Sequence, residues 1–319
     1  MAAPIPIRAW HWAGFILAIL IWVGLDLRWF HRAPRAQKMR EALLWSGIWL
    51  LLALLFAGAL AQWRSQEESV QFLAGYLVEY SLSLDNVLAI TIIFASFGVA
   101  PELQHRVLSL GIIGALLMRG VMIGAGAALL QTFHWLLYGM GLFLVVTGLR
   151  WGFSKPAAMR PQDNPAIRLA RKFFPVSSTF DGDRFLTMAN GRRALTPLAL
   201  VLLAVETTDL IFAVDSIPAV FAVTQDAFIV FTSNIFAIMG LRSLYFVMAG
   251  AVQSFRYLRT GLAAVLVVVG LKMLVARWFK VPTNLSLGLV VLIVATAMVC
   301  SLLAARREKG AGEKAAPPS

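Results

Sequence analysis

The chain has one cysteine, four histidines and only sixteen acidic residues among 319. The lone cysteine, Cys300, excludes an internal disulfide framework and any thiolate metal cluster. The histidines (His11, His31, His105 and His134) fall at or near the ends of apolar runs, as interfacial residues do, rather than as a set of ligands. No HExxH, GxSxG or comparable catalytic motif is present, so no enzyme is expected. Charged residues make up 14%, against about 25% in an ordinary soluble domain, which argues against a soluble fold.

What the chain has instead is oil. Hydrophobic residues make up 60% of it. Nine segments are long and apolar enough to cross a bilayer, which takes about 20 helical residues: 9–27, 42–61, 70–97, 107–130, 133–149, 194–223, 228–252, 257–275 and 281–305. The fold class expected is an all-α, polytopic transmembrane helix bundle. The first run is followed by its positive charges, Arg28 to Arg40, instead of being preceded by them, so it reads as a retained span and not as a cleaved signal peptide.

The net charge of +12 could suggest a nucleic-acid partner, but its distribution does not. If the spans alternate, 21 Lys and Arg lie on one side, in 28–41, 98–106, 150–193, 251–260 and the tail. Four lie on the other: Arg8, Arg64, Arg277 and Lys280. This asymmetry predicts an extracytoplasmic N-terminus and a cytoplasmic C-terminus. The partner expected is the lipid bilayer.

Two stretches about 130 residues apart resemble each other. "SLDNVLAI" (83–90) aligns with "AVDSIPAV" (213–220), pairing Asp85 with Asp215 and Asn86 with Ser216; upstream, Glu79 stands opposite Asp209. "LMRGVM" (117–122) faces "GLRSLY" (240–245), pairing Arg119 with Arg242, and "LVVTGLR" (144–150) faces "LVVVGLK" (266–272). A shift of three spans inverts the second copy, giving the three-plus-three inverted repeat known from secondary transporters. The domain reading is one transmembrane domain over 1–305. Repeat one covers 69–150, a cytoplasmic linker 151–193 and repeat two 194–275. Spans within 1–62 and 281–305 are peripheral, and 306–319 is a disordered tail.

Five carboxylates lie well inside spans: Glu79, Asp85, Glu206, Asp209 and Asp215. Each costs at least ~2.5 kcal/mol near the bilayer centre, so each needs a partner or a wet cavity. Arg119 and Arg242 lie deep and Lys272 nearer a span end, so even full pairing leaves two carboxylates over. A site of net negative character suits a cation. Glu206 and Asp209 share a helix face, whereas Asp215 falls opposite Glu206 in a straight helix. Pro218 predicts a kink or break that turns Asp215 inward, to be joined by Asp85 and Asn86 from the other repeat. With the hydroxyls of Ser81, Ser83, Thr207, Thr208 and Ser216 nearby, the ligands are all oxygen, which favours Mn²⁺, Mg²⁺ or Ca²⁺. Two plainer readings stand beside this one: acids that only hold Arg119 and Arg242, and a proton relay without metal.

With "EYSLSLDNVLAI", "VETTDLIFAVDSIPAVFAVT" and "FTSNIFAIMGLRSLYF" in view, the chain resembles the TerC/Alx family of bacterial integral membrane proteins. The stretch "NPAIRLARKFFPV…DGDRF" resembles the Alx-type branch, although Alx-type members often carry bulkier aromatic residues after the Asp-Asn of span 3. The resemblance runs from about residue 10 to 275. It implies an inner-membrane metal-ion transporter related to the LysE superfamily, exporting Mn²⁺, with no permanently bound cofactor. By motif it points to Asp85, Asn86, Glu206, Asp209 and Asp215 as the functional residues. The family's tellurium-resistance label fits an indirect phenotype, because a tellurite oxyanion is repelled by clustered carboxylates. Because some relatives assist membrane-protein assembly or metal loading of secreted enzymes, the alternative expectation is a membrane scaffold acting through loop 150–193. The leading expectation is export by alternating access, with protons as the coupling ion.

Overall fold

Where no water can bond a peptide group, a spanning segment must satisfy its own N–H and C=O groups, and the long apolar runs accordingly fold as helices. The structure, a computed structural model, describes residues 7–30, 39–153, 164–189, 191–249, 257–276, 278–279 and 281–314. Along the chain lie α1 (Ala9–Phe30), α2 (Met39–Trp63), α3 (Gln66–Phe97), α4 (Pro101–Thr132) and α5 (Leu136–Phe153). After them come α6 (Pro165–Phe173), β1 (Leu186–Ala189), β2 (Arg192–Leu195), α7 (Pro197–Phe221), α8 (Ala227–Ala249), α9 (Leu258–Val275) and α10 (Thr283–Lys314). Eight helices, α2 to α5 and α7 to α10, are long and apolar enough to cross a membrane; α1 adds a shorter apolar stretch, Ala9–Gly24.

Burial separates the helices into centre and rim. In α8 and α3, 83% and 67% of the spanning window is buried inside the protein, against 17% in α5 and α10. The rim helices turn large apolar side chains outward, among them Leu51, Leu55, Phe143, Val146 and Leu292. A lipid-facing surface has this character. α3 starts at Ser65, whose hydroxyl accepts from the Glu68 N–H, and stops at Gly98, whose φ of 63° reverses the chain into Pro101 and α4.

The packing of α5 on α9 is self-reciprocal. A β-carbon added to Gly148 would lie 2.7 Å from the Ala263 carbonyl oxygen, 2.8 Å from Val267 Cγ2 and 3.0 Å from Val267 N. One added to Gly270 would lie 2.6 Å from the Gly141 carbonyl oxygen and 2.9 Å from both Val145 Cγ2 and Val145 N. In the alignment of 144–150 with 266–272, Gly148 corresponds to Gly270 and Val145 to Val267, so the second set of contacts is the first with the partners exchanged. Contact positions rise on α5 as they fall on α9, which makes the pair antiparallel. Elsewhere the pairing follows the same exchange: α3 packs on α8 as α4 packs on α7, and α3 packs on α7.

Three segments carry local detail beyond these expectations. α7 is not broken at Pro218: the helix runs on to Phe221, and the Ala222 N–H bonds the Pro218 carbonyl. Proline forfeits one bond, to Val214, one turn before the helix ends, where the loss is least disruptive. The linker 151–193 is also more than a tether, since it carries α6 and the β1–β2 hairpin, whose second strand runs on to Leu195. Finally, α10 runs on through Lys314, past the start of the expected disordered tail: adding residues to an existing helix needs no new nucleus, so even the stretch with Gly310 and Gly312 continues it; 315–319 lie outside the described residues.

Candidate ion site between helices α3, α4, α7 and α8

Glu79 and Asn86 are seven residues apart on α3, and Asp209 and Ser216 are seven apart on α7. Seven residues make nearly two turns, so each pair shares one helix face. The two faces meet around Arg119 of α4, whose side chain is wholly buried. Its Nη2 and Nε donate to Asp209 Oδ1 (3.0 Å) and Oδ2 (3.3 Å), a two-pronged grip on one carboxylate. Nη1 donates to Glu79 Oε1, to Asn234 Oδ1 (3.1 Å) and to Ser216 Oγ (3.4 Å).

Two amides complete the cluster. Asn234 of α8 donates from Nδ2 to Glu79 Oε2 (3.0 Å), and Asn86 donates from Nδ2 to Asp209 Oδ1 (3.2 Å). Glu79, Asn86, Asp209, Ser216 and Asn234 are all buried. Two carboxylates against one guanidinium leave one formal negative charge in a buried site. The cluster also holds an open acceptor. Among the described residues, Asn86 Oδ1 has no hydrogen-bond partner, nor does Ser83 Oγ, three residues earlier on the same helix. A buried acceptor left without a donor costs about 1–3 kcal/mol, which a cation or a proton donor would offset.

The remaining acids lie around this cluster. Glu206, one turn before Asp209, is half-buried, with its carboxylate lying directly on Gly114 of α4 where a β-carbon would stand in any other residue. Asp85 and Asp215 each precede a cluster residue by one position, so each points about 100° away from it. Both are half-buried, and among the described residues neither makes a hydrogen bond or ion pair. Asp85 is within electrostatic reach of Arg259 in the first turn of α9. The expected convergence of Asp85, Glu206, Asp209 and Asp215 is not seen: among the described residues no three His, Cys, Asp or Glu side chains are grouped to hold a metal ion. Because α7 is continuous through Pro218, Asp215 keeps the side of the helix opposite Glu206.

Arg242, aligned with Arg119 in the sequence, is buried and donates from Nη1 to Ser109 Oγ (3.4 Å), beside Trp22 and Trp49. Asn234 was not singled out among the candidate residues. Its signal was available, since an amide inside the apolar run "FTSNIFAIMG" needs a partner for the same reason the acids do.

Comparison with known proteins places the chain. A model of the integral membrane protein TerC family matches residues 64–309. An uncharacterised membrane protein of Myxococcus xanthus is 47% identical over 296 residues, covering 92% of each chain. A Salmonella typhi protein provisionally named membrane-bound redox modulator Alx is 42% identical over 297 residues, covering 90% of this chain and 92% of its own. Its Escherichia coli K12 namesake is 40% identical over 311 residues, covering 94% and 97%. No solved structure matches. With a buried Arg119 cluster built from the quoted motifs, a family match over most of its length and relatives covering nine-tenths of it, the chain belongs to the TerC family of integral membrane proteins.

Proposed function

We propose that the protein exports a hard divalent cation, Mn²⁺ first among them, across the inner membrane by alternating access. The observation that carries this reading is the uncompensated negative charge of the Arg119 cluster beside the open acceptor Asn86 Oδ1. Buried carboxylate and amide oxygens with spare lone pairs suit a small oxygen-seeking cation. Asp85, Glu206 and Asp215, half-buried in α3 and α7, supply further charge along the path. In this reading α3 and α7, packed on each other as counterparts of an inverted repeat, shift during the cycle and bring those carboxylates to the ion in turn. Protonation of the same groups on ion release would couple the flux to protons.

A second reading follows the name carried by the Alx relatives, membrane-bound redox modulator. A dithiol–disulfide couple needs two thiols, and this chain has one, so transport is the better-supported reading. The test is flux into proteoliposomes with Mn²⁺, Mg²⁺, Ca²⁺ and Zn²⁺ side by side. Uptake of Mn²⁺ above the Zn²⁺ and empty-liposome values supports export; no flux of any of the four overturns it.

A further inference from the structure

The segment between α5 and α7 has a surface that topology alone does not explain. In α6, Ile167 is fully buried and Ala170 packs against the core, together with Val176, Phe180, Phe185 and Leu195. At 100° per residue, Leu169 and Phe173 continue this apolar arc past the point where the protein stops covering it. Both are more than half exposed, as are Phe174 and, on the hairpin, Leu186 and Met188. Arg168, Arg171 and Lys172 occupy the opposite arc of α6, and Arg192 and Arg193 lie on β2.

Among the described residues of this segment, both acids are already engaged. Asp183 pairs with Arg106 of α4, and Asp181 accepts from the Thr187 hydroxyl (2.7 Å). Arg168, Arg171, Lys172, Arg192 and Arg193 make no ion pair among the described residues. The positive-inside rule accounts for the charge, but not for bulky apolar side chains standing beside it. Apolar residues flanked by unpaired bases are the signature of an element lying in the interface of an anionic bilayer.

We propose that α6 and the β1–β2 hairpin dock on the anionic headgroups of the protein's own bilayer, with Leu169 and Phe173 inserted below them. Position fits this role, because Arg106 is only six residues into α4, and the hairpin leads directly into α7. The docked element would be tied to the ion-site helices. The Thr196 hydroxyl, which caps α7, donates to the Arg184 carbonyl (2.7 Å), and the Thr196 N–H bonds the Phe185 carbonyl. The guanidinium of Arg106 lies over the Phe185 ring.

The test does not depend on transport. In a Cys300→Ser background, Phe173→Cys is labelled with an environment-sensitive fluorophore, and the protein is reconstituted in phosphatidylcholine vesicles with or without phosphatidylglycerol. The expected result is a blue-shifted emission, quenched by brominated lipid, in the anionic vesicles only. Raising salt should reverse it, and Arg168→Glu, Arg171→Glu and Lys172→Glu together should abolish it, each base being worth roughly a fivefold factor in the docked population. The salt titration uses the chain with its bases intact, so it decides even if the triple variant fails to fold. A water-like emission in both vesicles, as an acidic protein partner for this face would give, or the same buried emission in both vesicles and in detergent overturns the proposal.

Discussion

The carboxylate of Glu206 occupies the space above the Cα of Gly114 that any other residue would fill with its own side chain. A charged group in the membrane interior is thus held against a helix that yields room for it. Gly114→Ala should push Glu206 aside at small cost to folding, because the displaced atoms are the far end of a flexible side chain. Mn²⁺ flux should fall by an order of magnitude while thermal stability changes little. Gly111→Ala is the control, since its added methyl meets Val205 at an ordinary 3.5 Å. Equal flux in both variants would show that the Glu206 position is incidental.

Arg119→Met removes the one cation shared by Glu79 and Asp209. Leaving buried charge unpaired costs about 3–5 kcal/mol, so yield and melting temperature should drop sharply. Adding Glu79→Gln should restore part of the loss, because one of the two stranded charges is gone. Failure of that rescue, measured by denaturation in detergent, would mean that packing rather than charge fixes Arg119.

Asp85→Asn and Asp215→Asn should each abolish Mn²⁺ flux with expression near wild type, since a neutral amide is easier to insert than a carboxylate. The double replacement should be little worse than either single one if both serve one ion path. Glu67→Gln, exposed in the first turn of α3, should be silent. Normal flux in either aspartate variant, assayed in proteoliposomes, would return these acids to a structural role.

Gly148→Ala and Gly270→Ala should destabilise the protein by similar amounts, about 1–3 kcal/mol each, because both press a methyl onto a backbone carbonyl at nearly the same distance. Thermal unfolding of the two variants checks this, and a large difference would break the equivalence of α5 and α9.

Reporters fused after Arg160 and within 62–69 should read cytoplasmic and extracytoplasmic respectively, following the Lys and Arg asymmetry. Two reporters on the same side would remove the inversion on which alternating access rests.

The helices were legible because a bilayer leaves the backbone no alternative, so hydropathy alone gives element type and approximate span. The face of each helix was harder to read. Asp85 and Asp215 stood out as the matched acids of two similar motifs, yet the residues of the cluster around Arg119 lie one position later, at Asn86 and Ser216, and six earlier, at Glu79 and Asp209. Composition shows which groups need partners, but a 100° step decides which find them. Pro218 misled for a similar reason: the sequence shows the missing N–H, but not that the helix ends one turn later. Within 151–193, the alternation and Gly191 that make a hairpin are short and local, and they were masked by the charge that marks the loop.

The α5–α9 contact has a consequence for ancestry. Each glycine rests on the other helix through the same atoms in exchange, so the surface is complementary to an inverted copy of itself. A single three-helix unit, inserted into a membrane in both directions, would form this contact between two separate molecules. Fusion of two such genes would then need only a connecting segment to hold the pair at a fixed one-to-one ratio. On such an origin each half would thereafter be free to change on its own, as the unlike settings of Arg119, which holds acids of both α3 and α7, and of Arg242, which meets Ser109, would then record.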